Sequence, residues 1–142
     1  MRGAKEHVMR VAELMTEDPI IIAPGATIAE ALDRMYSHDV RHLPVVKHGR
    51  LVGMLSDRDL RGLFVPDPDV PGLFDASRMA MAVVDLMSNN PISLPTEADV
   101  DDAIEIILEH HIGAIPIVEP LDGTLVGIVS YTDILREAQG RF

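Results

Sequence analysis

The chain states nearly the same pattern twice. Leu14-Met15, Pro19, Ala31, His38 and Pro44 recur as Leu86-Met87, Pro91, Ala103, His110 and Pro116, each 72 positions later. Gly49, Leu51-Val52-Gly53, Ser56 and Asp59 return as Gly123, Leu125-Val126-Gly127, Ser130 and Asp133, at an offset of 74. The step falls in the loop Glu119 to Thr124, where a two-residue insertion leaves the flanking elements in register. Two like halves are therefore expected, paired about a pseudo-twofold axis. Each copy has about 60 residues, a size at which an isolated core is marginal, so the copies are expected to share one. Function is then sought where they meet.

The 142 residues include 47% apolar side chains but only two Tyr, three Phe and no Trp, so the core must be aliphatic. The absence of cysteine removes disulfides, thiolate zinc sites and cysteine nucleophiles, and fits a reducing compartment. Arg2, Lys5, Glu6 and Arg10 near the N-terminus flank no apolar signal region, and no apolar run approaches the roughly 18 residues of a membrane span. A soluble, cytoplasmic chain is expected. A net charge of −11 argues against nucleic acid as a partner. The charge is also segregated: residues 79 to 135 hold no Lys or Arg and ten Asp or Glu. Arg41, Lys47, Arg50, Arg58 and Arg61, with His42 and His48, crowd a short stretch of the first copy. That stretch is either a solvated face or a cradle for a small anion.

Apolar residues at Ile28, Ala31, Leu32 and Met35 behind Thr27, and at Val100, Ala103, Ile104 and Ile107 behind Asp99, predict capped amphipathic helices. Leu43 to Val46 with Leu51 to Leu55, and Ile115 to Val118 with Leu125 to Val129, predict β-hairpins. Ser56-Asp57-Arg58-Asp59 and Ser130-Tyr131-Thr132-Asp133 carry the S-x-x-D capping signal and open closing helices. With short lead strands near Ile20 to Ile22 and Ile92 to Leu94, each copy reads β-α-β-β-α, an α/β (α+β) fold of two repeats. Apolar helical stretches, Val8 to Met15 and Arg78 to Met87, lead into the copies and could cover the other half or a second subunit. The expected division is residues 1–63 with the N-terminal helix, an ordered proline-rich strap at 64–77, and residues 78–142.

These residues resemble the tandem cystathionine-β-synthase-type (CBS) domain pair, or Bateman module. The likeness rests on Leu14-Met15-Thr16 with Pro19, on Val40 to Val46, and on Leu51 to Leu60. Leu86-Met87-Ser88 with Pro91, Ile112 to Val118 and Leu125 to Ile134 repeat it, so that it spans Val11 to Arg136. The resemblance implies a regulatory fold that binds adenosine-type ligands (AMP, ADP, ATP or S-adenosylmethionine) at up to two sites between the repeats. In the family pattern the final Asp accepts ribose hydroxyls and the preceding hydroxyl residues meet phosphate. Ser130, Thr132 and Asp133 match fully; Ser56 and Asp59 match, with Arg58 in place of the second hydroxyl. By the same resemblance Asp133 works with Thr16, Ile21, Arg41 and His42, and Asp59 with Ser88, Ser93, Gly113 and Ala114. No cofactor is implied beyond the nucleotide as regulatory ligand, for which magnesium is the candidate companion ion. A homodimer and a downstream protein of unknown identity are the expected partners.

Elementary chemistry agrees. A helix N-terminus offers unpaired N–H groups to phosphate, and a carboxylate can take two ribose hydroxyls. The second copy has no cation before Arg136 once past Arg78, so phosphate near Ser130 calls for Arg41 and His42. The same Ser and Asp pairs also fit plain capping boxes worth about 1 kcal/mol each. Gly53 and Gly127 fit close packing in the hairpins. His38 with His42, and His110 with His111, raise a metal alternative, although His38 and His110 read better as helix ends. No nucleophile motif or acid–base pair is present, so no enzyme is expected; a ligand-free dimerisation or protein-interaction scaffold is the rival reading.

Overall fold

A computed structural model describes residues 8–64 and 76–142. The expected strap at 64–77 lies largely outside these residues, as do Arg2, Lys5 and Glu6. The elements are α1 (Val11–Leu14), β1 (Thr16–Glu17), α2 (Ile28–His38), β2 (His42–Lys47), β3 (Arg50–Ser56) and α3 (Asp57–Arg61). They continue with β4 (Ser88–Asn89), α4 (Val100–His110), β5 (Ala114–Val118), β6 (Leu125–Ser130) and α5 (Tyr131–Ala138). The two compact units do not follow the sequence repeats. One is continuous, Ile20–Pro91; the other joins Met1–Pro19 to Ile92–Phe142.

In the Ile20–Pro91 unit, β2, β3 and β4 form an antiparallel sheet in that order. His48 and Gly49, at φ of 54° and 79°, turn the hairpin with both central residues left-handed, matching the twist of the strands. Thr27 caps α2 by accepting from the Glu30 N–H at 3.2 Å, and Ile28, Ala31 and Met35 face inward. They pack with Ile22, Leu43, Val45, Leu55, Leu60 and Val83 into an aliphatic core. The other unit repeats the plan: β1, β6 and β5 form the sheet, and Ala103 of α4 packs with Val11, Ile115, Ile117 and Val129. The expected hairpins and capped helices are all present. The insertion occupies the turn after β5, where Glu119 N–H donates to the Thr124 carbonyl at 2.8 Å.

The lead-in stretches differ from expectation. Val8 to Met15 holds a single helical turn, and Arg78 to Met87 holds short 3₁₀ turns at Ala76–Ala80 and Val83–Asp85. The reason is where their backbone groups go. Val11 N–H donates to the Ala98 carbonyl at 2.8 Å, and Val100 N–H to the Met9 carbonyl at 2.9 Å. In the continuous unit Val83 N–H donates to Ala26 at 2.8 Å and Ile28 N–H to Met81 at 2.9 Å. A backbone committed to pairing with another segment cannot also complete a long helix. The lead strands likewise shrink to single parallel bridges, Ile22 with Val45 and Leu94 with Ile117, because Pro24 and Pro95 follow two and one residues later and lack the N–H a longer ladder needs.

Each lead-in thus closes the sheet of the opposite copy. Thr16 and Glu17 pair with Ile128 and Gly127, and Ser88 and Asn89 with Met54 and Gly53. Gly53 and Gly127 make this approach possible. A Cβ at Gly127 would stand 3.0 Å from the Thr16 carbonyl and overlap the Met15 sulfur; at Gly53 it would meet Ser88 and Met87 in the same way. Gly53→Ala and Gly127→Ala are each expected to lower unfolding free energy by about 1–3 kcal/mol. Gly25→Ala, where nothing lies within 4 Å of the added carbon, should stay within about 0.5 kcal/mol. Urea titration of the three variants measures the difference.

Candidate functional site

In the Ile20–Pro91 unit, β3 runs into α3 through Ser56, whose extended φ of −116° frees its side chain to cap. Ser56 Oγ accepts from Asp59 N–H at 3.2 Å, and Asp59 Oδ2 accepts from Ser56 N–H at 2.9 Å. Asp57 N–H donates to the Arg41 carbonyl at 2.9 Å, and His42 stands opposite Ser56 across the β2–β3 ladder. Arg41, His42, Ser56, Arg58 and Asp59 therefore gather at one end of this sheet. Burial pulls the His42 pKa below its ordinary 6.5; the carboxylates of Asp57 and Asp59 oppose that and Arg41 adds to it. Arg34 on α2 donates to the carbonyl of Ile21, fixing the lead strand by a contact no sequence spacing announces. Ser88 is exposed on β4, next to Met54 of β3.

The other unit repeats the corner with different side chains. Ser130 Oγ accepts from Asp133 N–H at 3.3 Å and donates to Asp133 Oδ2 at 2.9 Å, while Ser130 N–H donates to the same oxygen at 2.8 Å. Thr132 Oγ1 lies 2.7 Å from Ser130 Oγ. Tyr131 N–H donates to the Gly113 carbonyl at 3.0 Å and Ala114, which is buried, pairs with Ser130. Gly113 and Ala114 thus occupy the places that Arg41 and His42 hold in the first corner. Thr16 joins this unit two positions down the strand from Ser130, opposite Ile128. Ser93 precedes Leu94, whose N–H donates to Pro116 at 3.1 Å.

The expected residue sets divide between the units. Asp133, Ser130 and Thr132 share theirs with Thr16, Ser93, Gly113 and Ala114; Asp59, Ser56 and Arg58 share theirs with Ile21, Arg41, His42 and Ser88. Both carboxylates cap a helix through Oδ2 alone. Among the described residues Asp59 Oδ1 accepts no hydrogen bond, and Asp133 Oδ1 has only Arg136 Nη1, 4.0 Å away. A carboxylate has lone pairs to spare beyond a cap, so capping and the acceptance of a sugar hydroxyl are compatible. The histidines behave as helix ends. α2 stops at His38 and α4 at His110, and the following Asp39 and His111 turn left-handed, so His38 and His42 do not share a helix face. Among the described residues no group of three or more His, Asp or Glu could hold a metal ion, and no helix is long and apolar enough to cross a membrane.

The CBS-domain family profile matches residues 11–65 and 83–140. The chain is 34% identical over 124 residues to the CBS domain-containing protein YhcV of Bacillus subtilis, covering 87% of this chain and 81% of that one. It is also 32% identical to inosine-5′-monophosphate dehydrogenase of Thermoplasma acidophilum, of whose length it spans only 24%. Among solved structures, CBSX2 in complex with AMP superposes with a TM-score of 0.76 at 26% identity, over 91% of this chain and 95% of that one. The CBS domain pair of MJ0100, in complex with 5′-methylthioadenosine and S-adenosyl-L-methionine, gives 0.76 at 25% identity, over 91% and 98%. With both repeats matched and the acidic corners formed in each, the chain belongs to the CBS-domain family as a tandem pair.

Proposed function

We propose that this chain is a regulatory, non-catalytic sensor of adenosine-type ligands. The observation that carries the reading is the pair of Ser–Asp corners, each built as a cap yet leaving Oδ1 of Asp59 or Asp133 available to a donor. That two similar CBS structures hold AMP, or 5′-methylthioadenosine with S-adenosyl-L-methionine, supports the ligand class. In this reading Asp133 accepts ribose hydroxyls and Ser130 and Thr132 meet phosphate, with Thr16, Ile21, Arg41 and His42 completing the set. Asp59 plays the same part with Ser56, Arg58, Ser88, Ser93, Gly113 and Ala114. Magnesium accompanies a polyphosphate where one binds. A homodimer and a downstream protein receive the signal, and the protein works in the cytoplasm. Ligand binding shifts the equilibrium between conformations by its differential affinity for them.

Thermal-shift titration with AMP, ATP, NAD and S-adenosylmethionine tests the reading. At a hundred times Kd a single bound ligand should add about 2.7 kcal/mol of stability. Asp133→Ala should lose that response while costing the free protein about 1 kcal/mol from the cap. Unchanged melting with all four would leave the corners as caps and favour a ligand-free scaffold.

His42 supplies a pH test with a definite sign. Because its pKa in the folded chain lies below 6.5, the unfolded chain binds the proton more readily. Ligand-free stability should therefore be full above about pH 6.5 and fall as the pH drops through the folded pKa. A bound phosphate would raise that pKa, so the ligand-induced shift should grow as the pH falls below neutral. His42→Asn should flatten both dependences in melts recorded across that range.

A further inference from the structure

The chain has no cysteine and eight methionines, so any redox response carried by its own sulfur must run through thioethers. Two of the eight stand at equivalent places, Met15 and Met87, 72 positions apart. Met15 packs at the edge of one aliphatic core and Met87 at the edge of the other. Both are partly exposed, whereas Met35 and Met54 are buried, at 7% and 8%. A small oxidant can therefore reach the first pair in the folded chain while the second pair is shielded.

An oxygen added to either sulfur has no neutral place to go. Met15 Sδ lies over Gly127 and Met87 Sδ over Gly53, where no Cβ could stand. Backbone bounds the same space: a Cβ at either glycine would also come to 3.0 Å from the Thr16 or Ser88 carbonyl oxygen. An oxygen on the glycine side of the sulfur would thus face a carbonyl, acceptor against acceptor with no donor between them. An oxygen turned outward would be hydrated and would draw the sulfur off the glycine. In both cases the thioether stops being the apolar cover of the contact that joins Thr16–Glu17 to β6 and Ser88–Asn89 to β3. These strands are two residues long, so losing that cover leaves only a short ladder to hold them.

We propose that Met15 and Met87 form a paired oxidation site through which hydrogen peroxide reversibly loosens the closure of both sheets. The sulfur lone pair attacks a peroxide oxygen, the S–O bond forms and the O–O bond breaks. The departing hydroxide takes the proton of the transferred oxygen and leaves as water, so sulfur gives up two electrons and peroxide is reduced by two. Methionine sulfoxide reductase, drawing on a dithiol that becomes a disulfide, removes the oxygen as water and restores the thioether. Neither methionine belongs to the proposed ligand sets, so the site operates whether or not a nucleotide binds.

The test treats the full chain with hydrogen peroxide and maps oxygen uptake by peptide mass spectrometry. Sulfoxide is expected at Met15 and Met87 before Met35 and Met54. The oxidised protein should melt about 5 °C or more below the untreated one, with faster hydrogen exchange in peptides covering Thr16–Glu17 and Ser88–Asn89. Methionine sulfoxide reductases A and B with dithiothreitol should restore both readings. Met15→Leu with Met87→Leu keeps an apolar side chain of similar volume at each place. Melting of that variant should not respond to peroxide, although Met9, Met79 and Met81 remain oxidisable. Three results would overturn the proposal: Met15 and Met87 unoxidised in the folded chain, their sulfoxides leaving melting and exchange unchanged, or the double leucine variant losing as much as the unsubstituted chain. Should that variant fail to fold, the exchange measured on the unsubstituted chain decides.

Discussion

A methionine sulfur lying over a missing Cβ fixes this architecture. Met15 covers Gly127 and Met87 covers Gly53, and the close approach brings the two-residue strands β1 and β4 onto β6 and β3. Without that approach β1 and β4 would have no sheet to join, and the cores around Val11 and Val83 would lose their lids. Both contacts tie the start of one repeat to the hairpin of the other. Two cores of marginal size are in this way each completed by borrowed residues, which is why the compact units are cut at Pro19 and Pro91 instead of at the repeat boundary.

In the proposed reading the acidic corners carry two duties on one side chain. Capping takes one carboxylate oxygen and the first-turn N–H groups, fixing where the strand ends and the helix begins. The remaining oxygen is then held in a known place by rigid elements on both sides, as a binding group must be. Structure and ligand recognition are therefore not competing accounts of Ser56–Asp59 and Ser130–Asp133. The cap pre-positions the acceptor.

The duplicated backbone has been filled with unlike charge. One corner is surrounded by Arg41, His42 and Arg58, and its equivalent by Gly113, Ala114 and Thr132. Likewise α4 carries Asp101, Glu105 and Glu109 where α2 has Ala29, Asp33 and Ser37. The two copies share their sheet order and their Ser–Asp caps but not every hydrogen bond: Thr27 alone caps α2, whereas Asp99 and Asp102 form a reciprocal box on α4.

Much was readable in one dimension. The apolar spacing of α2 and α4, the hairpin turns and the Ser–Asp caps follow from short-range periodicity and local hydrogen bonding, which need no distant partner. So did the two-residue insertion and the ends of the histidine-bearing helices. The lead-in segments were not readable in the same way: Val8 to Met15 carries a helical pattern, yet its donors go to Ala98 and Thr96, some 85 residues away. Nor did Gly53 and Gly127 reveal that their neighbours are methionines from the opposite copy. Local sequence decides which elements form and how they end; which copy each element completes depends on long-range pairing and side-chain fit, and those exist only once the chain has folded.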